Sequence, residues 1–246
     1  MKYLKNFNEN INRSEIEAIC KKYNIKNYII NEDGSIDVDG DFYLYNKKLK
    51  VLPLNFRNVT GDFYCSYNQL TSLMGCPQSV GGDFRCYSNQ LTSLEGAPHT
   101  IGENFDCNNN QLTSLVGSPQ NIGGIFNCSD NQLTTLEGVP QRVGKYFSCG
   151  NNKLKNIDYL PKYYKELLIG DNPIYKIVKL FTTSNGIGMI YDNRENKDLI
   201  LDFIDREIIQ QDILLVNRLV EYLDDIDKPK NREELIELLK NDYEIR

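Results

Sequence analysis

The feature that most constrains this chain is a 21-residue period: "NQLTSL" begins at Asn68, Asn89 and Asn110, and "NQLTTL" begins at Asn131. Such self-similarity marks a repeat architecture, in which a single unit cannot bury its own apolar side and stacking supplies the core. In register, six units begin at Gly40, Gly61, Gly82, Glu103, Gly124 and Lys145, and a seventh fits best one residue early, at Lys165. The third position is Phe42, Phe63, Phe84, Phe105, Phe126, Phe147 and Leu167, and the fifth is Leu44, Cys65, Cys86, Cys107, Cys128, Cys149 and Ile169. Residues two apart share one face of a strand, so these columns predict short strands with one apolar side.

The eighth position is Asn68, Asn89, Asn110, Asn131, Asn152 and Asn172, with Lys47 in the first unit. The tenth runs from Leu49 to Ile174 and the thirteenth from Leu52 to Ile177, all Leu or Ile. The resulting unit, F-x-C-x-x-N-x-L-x-x-L, resembles the leucine-rich repeat pattern L-x-L-x-x-N-x-L, with Phe and Cys in two leucine places. The expected fold is a repeat solenoid, a leucine-rich-repeat-like stack of short parallel strands with helical N- and C-terminal caps. Rungs about 4.8 Å apart pair each strand with the next. The Asn column suits a turn whose amides bond backbone groups of their own and the neighbouring rung. Prolines at 77, 98, 119, 140 and 161 favour an extended return path without a long helix.

Three regions follow: an N-terminal helix and hairpin cap over 1–39, the solenoid over 40–178, and a C-terminal helical cap over 179–246. An open stack exposes strand edges, so caps are expected. Ser14 and Glu17 read as a capping box for a helix over about 14–23. Tyr28, Ile29 and Ile30, the Asp33-Gly34 turn, and Ile36 and Val38 read as a hairpin. Towards the C-terminus, Ile209, Ile213, Val216, Leu219, Val220 and Leu223 predict one apolar helical stripe, and Asn231 with Glu234 opens a further short helix.

A net charge of −6 offers no global attraction to phosphate, so nucleic acid is not the favoured partner. The excess acid is concentrated late, with 11 Lys/Arg against 16 Asp/Glu from Lys176 onward. No stretch approaches the length and apolarity of a membrane span, and Met1 to Asn12 is too polar for a secretory signal. The expectation is a soluble chain of the cytoplasm.

The cysteine column invites a disulfide or metal reading. Small buried hydrophobes are the simpler account, because 21-residue spacing is unlike that of zinc ligands and stacked parallel side chains do not automatically meet disulfide geometry. His99 is the only histidine and has neither a marked nucleophile nor an orienting group; it reads as a loop residue. Gly81-Gly82 and Gly123-Gly124 lack the accompanying Lys-Ser/Thr of a phosphate loop and read as tight turns. No catalytic residue, metal ligand or cofactor is expected.

Positions alternating with the Phe and Cys columns face outward, on the inner side of the expected curve. The fourth holds Tyr43, Tyr64, Arg85 and Asp106, and the sixth holds Tyr45, Tyr87 and Asn108. These are the candidate binding residues, because Tyr and Arg are enriched at binding hot spots; equally, they are ordinary strand residues pairing across rungs.

The phrases "NQLTSLEGAP", "GDFYC" and "INEDGSIDVDGDFYL" resemble the short leucine-rich repeat proteins of tailed bacteriophages and related viruses. That resemblance, covering about Asn31 to Ile174, implies a scaffold and brings no catalytic residues with it. The short proline-bearing units also look like those of secreted bacterial effectors, some of which add a ligase domain with a nucleophilic cysteine. No Cys follows Cys149 here, which leaves that activity unsupported. Two functions lead, a non-enzymatic scaffold that binds a protein, for a viral chain one of the host, and a structural or adhesive part of a virus particle; a third, an enzyme with its active site between Lys179 and Arg246, ranks last because that segment lacks Cys and His and is short for a catalytic domain.

Overall fold

The computed structural model describes residues 12–182, 189–191, 194–210 and 213–246. It begins with α1 (Arg13–Lys22) and the hairpin β1 (Tyr28–Ile30) and β2 (Ile36–Val38). The stack follows as β3 (Phe42–Tyr43), β4 (Phe56–Val59), β5 (Phe63–Tyr64), β6 (Ser79–Val80), β7 (Phe84–Arg85), β8 (Thr100–Ile101) and β9 (Phe105–Asp106). It continues through β10 (Asn121–Ile122), β11 (Phe126–Asn127), β12 (Arg142–Val143), β13 (Tyr146–Ser148) and β14 (Glu166–Leu168).

Because the period is constant, each Phe strand pairs with the next without slip. Phe63 lies opposite Phe84, Phe84 opposite Phe105, and Phe105 opposite Phe126, all in parallel pairs. The buried rings form a ladder, with centroids 5.3 Å apart for Phe84 and Phe105 and 5.2 Å for Phe105 and Phe126. Below them the cysteine column is wholly buried, and all seven cysteines of the chain are unpaired thiols.

The return path is extended and free of helix, as the proline column predicts. It also forms strands of its own, which the leucine pattern does not announce. Val59, Val80, Ile101, Ile122 and Val143 are buried and give a second parallel sheet, β2-β4-β6-β8-β10-β12, with β1 antiparallel at its edge. The Val/Ile face of this sheet and the Phe/Cys face of the first thus close on one core. At the corner between the sheets, glycine supplies space and not left-handed backbone. A Cβ on Gly102 would stand 2.0 Å from the carbonyl oxygen of Gly81, and one on Gly123 equally 2.0 Å from that of Gly102. The turn reading of Gly81-Gly82 and Gly123-Gly124 therefore becomes one of close contact between rungs.

The helix α1 starts one place earlier than its sequence signal. Asn12 is the N-cap and Glu15 completes the box, while the Ser14 hydroxyl donates to the Asn12 side chain. The hairpin lies where expected, with Gly34 at φ 79.

After the stack come α2 (Tyr175–Phe181), β15 (Met189–Tyr191), α3 (Arg194–Asp205), β16 (Ile209–Gln210), β17 (Ile213–Leu214), α4 (Val216–Asp225), α5 (Arg232–Leu239) and β18 (Glu244–Ile245). The stripe from Ile209 to Leu223 is therefore not one helix. Ile209 pairs opposite Leu214 in an antiparallel ribbon, and only the part from Val216 is helical. A four-residue spacing of β-branched residues serves a short ribbon as well as a helix turn. The C-terminal cap is mixed, with β16, β17 and β18 in one small sheet.

β15 pairs antiparallel with β14 and covers that edge of the Phe sheet. Phe181, Phe203 and Tyr222 form a buried aromatic cluster, and the Tyr243 hydroxyl donates to the Lys155 carbonyl at 2.9 Å, tying the cap to the stack. No described helix is long and apolar enough to cross a membrane.

Candidate functional site

The rigidity of the open face of the Phe sheet comes from two side-chain ladders beside it. The first is the Asn column. Asn110 Oδ1 accepts the Leu91 N–H of the preceding rung at 3.0 Å, and its Nδ2 donates to the carbonyls of Cys86, Cys107 and Asn108 at 3.2, 3.1 and 3.2 Å. Asn68, Asn89, Asn131, Asn152 and Asn172 each bond both their own and the neighbouring rung in the same way. Just before this column, the seventh position is left-handed throughout, from Asn46 (φ 52) and Tyr67 (φ 53) to Asp171 (φ 57). For a residue with a Cβ this costs roughly 1–2 kcal/mol, which the adjacent buried amide bonds offset.

The second ladder was not anticipated. At the second position, Asp41 Oδ1 accepts the Asp62 N–H at 2.9 Å, Asp62 Oδ1 the Asp83 N–H at 2.8 Å, Asp83 Oδ1 the Asn104 N–H at 3.0 Å, and Asn104 Oδ1 the Ile125 N–H at 2.8 Å. Each carboxylate thus caps the next rung with one oxygen and turns the other along the open face. The backbone bond from Asp62, helped by the Tyr43 hydroxyl, holds the Asp41 carboxyl below its ordinary range. At Asp83 burial pushes upward, but the Asn104 N–H and the Arg85 guanidinium outweigh it and the net shift is down.

On these supports the predicted residues of the first three rungs come together. The Tyr43 hydroxyl donates to Asp41 at 2.8 Å, the Tyr64 hydroxyl to Asp62 at 2.8 Å, and Arg85 bonds Asp83 at 2.6 Å. Tyr43 and Tyr64 meet edge to face at 5.0 Å, and the Arg85 guanidinium lies over the Tyr64 ring at 4.6 Å. A second row contains Tyr45, Tyr67 and Tyr87, with centroids 5.0 and 5.2 Å apart. Tyr67 lies in the turn column, outside the strand alternation that marks the other rings, and its left-handed backbone sets the ring between its two neighbours. Tyr43, Tyr45 and Tyr67 remain about half exposed, at 48%, 49% and 48%.

Asp106 and Asn108 belong to the same face but are tied to each other. The Asn108 N–H donates to Asp106 Oδ1 at 3.1 Å, and burial raises the Asp106 pKa despite that bond and Arg85. Ser66, in the sixth column between Tyr45 and Tyr87, is fully buried. Its hydroxyl is the only buried side-chain polar atom without a hydrogen-bond partner among the described residues.

The face is strongly acidic. Its second, fourth, sixth and seventh columns carry Asp41, Asp62, Asp83, Asp106, Asp130, Glu166 and Asp171 against a single cation, Arg85. Lysines stand at its borders, Lys47, Lys48 and Lys153 past the strands and Lys145 and Lys165 at the corner.

Elsewhere, burial pushes the thiols of Cys76, Cys86, Cys107 and Cys128 well above their ordinary value, the opposite of what activates a nucleophile. His99 is exposed in the return loop. A shallow cavity beside the second sheet is lined by Asp33, Ser35, Arg57 and Cys76, and its cation is already bound by Asp37. No group of three or more His, Cys, Asp or Glu suited to a metal ion occurs among the described residues. Comparison with family models, with curated proteins and with solved structures gave no match.

Proposed function

We propose that this chain is a non-catalytic scaffold that holds a protein partner against the open face of its early rungs. The observation that carries this reading is the pair of tyrosine rows, with Tyr43, Tyr45 and Tyr67 half exposed yet held edge to face on a hydrogen-bonded stack. Rings ordered before binding lose little conformational freedom on contact and offer large amphipathic surfaces. The excess of carboxylates on the face repels phosphate and supports a protein over a nucleic acid. The resemblance of the repeat to phage proteins makes a bacterial host protein the first class of partner to seek.

The test is capture from a bacterial lysate by the full chain and by a Tyr43→Ala/Tyr67→Ala variant. Both rings are half exposed, so the variant keeps its unfolding midpoint nearly unchanged. The expected result is that a specifically captured protein is lost or weakened at least about 30-fold in the variant, on the scale of hot-spot residues. Equal capture by the folded variant overturns the assignment of the face.

A further inference from the structure

Resting on that reading of the face, we infer that the partner presents arginine or lysine side chains to it, in a segment that lays its cations over the tyrosines. Three independent features converge on this chemistry.

The first is charge. On the first four rungs these columns hold four carboxylates, Asp41, Asp62, Asp83 and Asp106, against Arg85 alone, whereas the whole chain holds 34 acidic residues and 28 basic ones. The imbalance is therefore a property of the face and not of the composition. A partner that meets it with acidic or neutral groups leaves like charges facing one another as water is excluded, while a basic segment neutralises them.

The second is a pattern already present within the chain. Arg85 sits over the Tyr64 ring at 4.6 Å while its guanidinium bonds Asp83 at 2.6 Å. Tyr43 beside Asp41 repeats the ring-and-carboxylate half of this arrangement with no cation of its own. Tyr64 takes the side of the Tyr43 ring that corresponds to the Arg85 position, so an incoming guanidinium meets the exposed remainder of Tyr43 with the Asp41 carboxylate beside it, the same two kinds of group that hold Arg85.

The third is the Ser66 hydroxyl, fully buried beneath the second tyrosine row and without a partner. A buried hydroxyl left unbonded is a cost to the free protein. A donor from a bound cation relieves it where the half-exposed Tyr67 ring swings aside from Tyr45 and Tyr87.

The test uses the full chain and three fluorescein-labelled peptides of equal length, alternating Arg-Ser, Gln-Ser and Glu-Ser, followed by anisotropy at low and high salt. The expected order is Arg-Ser tighter than Gln-Ser by at least about tenfold, with Glu-Ser weakest. Asp41→Asn with Asp62→Asn keeps the backbone acceptors, as Asn104 does naturally in the same column, and weakens the Arg-Ser peptide about tenfold. Removing two charges from α4, by Glu221→Gln with Asp224→Asn, leaves binding unchanged. Ser66→Ala lowers affinity without lowering the unfolding midpoint, which separates a binding role from a structural one.

Equal affinity for all three peptides overturns the inference. So does Arg-Ser binding that the α4 substitutions weaken as much as those at Asp41 and Asp62. If the basic peptide fails while Tyr43→Ala/Tyr67→Ala still abolishes capture of a lysate protein, the cationic partner is wrong and the binding face stands. If both fail, the face itself is wrong.

Discussion

The first three rungs and those from β11 to β14 share one core plan and diverge on the open face. Phe63 and Phe84 in the early rungs, and Phe126 and Phe147 in the late ones, are equally buried, each above a buried cysteine. Outside, Tyr43, Tyr64 and Arg85 of the fourth column give way to Asn127, Ser148 and Leu168. Tyr45 and Tyr87 of the sixth give way to Ser129, Gly150 and Gly170. The small late residues bond one another, as Ser129 and Ser148 do at 2.7 Å. The comparison teaches that the stack is built by its inward columns and turn amides. These leave the outward columns free to differ, so that one support is shared while the surface it carries changes from rung to rung.

The largest expected effect probes the shared part. Asn110→Ala loses four hydrogen bonds and strands buried backbone groups, at a cost of about 3 kcal/mol read from the urea midpoint. Asn68→Ala and Asn152→Ala, one early and one late, should differ by no more than about 1 kcal/mol, because four of their bonds correspond and Asn68 adds only one, from the Lys47 N–H. A much larger loss at Asn68 would show that the tyrosine rows help to hold the stack and would break the separation of inward support from outward surface.

A smaller effect sharpens the description of the early face. A double-mutant cycle on Tyr64→Ala and Arg85→Ala should give a coupling of about 1 kcal/mol, the size of a half-buried cation–π contact. Arg85→Ala alone should cost more than Tyr64→Ala, since it leaves the Asp83 side chain, only 8% exposed, without its counter-ion. Additive single effects would mean that ring and guanidinium are neighbours without interaction.

The smallest effect lies at the boundary between the two regions. The folded pKa of Asp106 is raised by burial, so its contribution to stability is present below the ordinary Asp range and lost as pH rises through the elevated folded value. Asp106→Asn, which installs the residue that Asn127 supplies in the next rung, should therefore stabilise the fold at neutral pH by under about 1 kcal/mol. The gain should vanish below about pH 3. A variant less stable than the parent at neutral pH would show that Asp106 is held by Arg85 and the Asn108 N–H more strongly than it is penalised by burial.

Much of this was legible in the residues because a period is redundant information. The Phe, Cys, Asn and Leu columns each repeat, so the parallel pairing, the inward thiols and the bonding of the Asn amides follow from the alternation of a strand and the need to satisfy buried backbone. The outward positions of Tyr43, Tyr45, Tyr64, Arg85 and Tyr87 follow from the same alternation. The C-terminal region has no period, and there the apolar spacing from Ile209 to Leu223 is compatible with two secondary structures, of which one helix is only the simpler.

What the sequence determined by itself was thus the register of every rung and which side chains turn inward, since both depend on spacing along one chain. Only the tertiary structure decided which atoms of different rungs meet. The second sheet, the Asp ladder, the ring of Tyr67 between Tyr45 and Tyr87, and the enclosure of Ser66 all depend on neighbours about 20 residues away in sequence and one strand spacing, about 4.8 Å, away in space. Packing and hydrogen bonding fall off over a few ångströms, so their outcome is set by how closely one rung lies on the next, a distance fixed by the folded chain and not by the order of its residues.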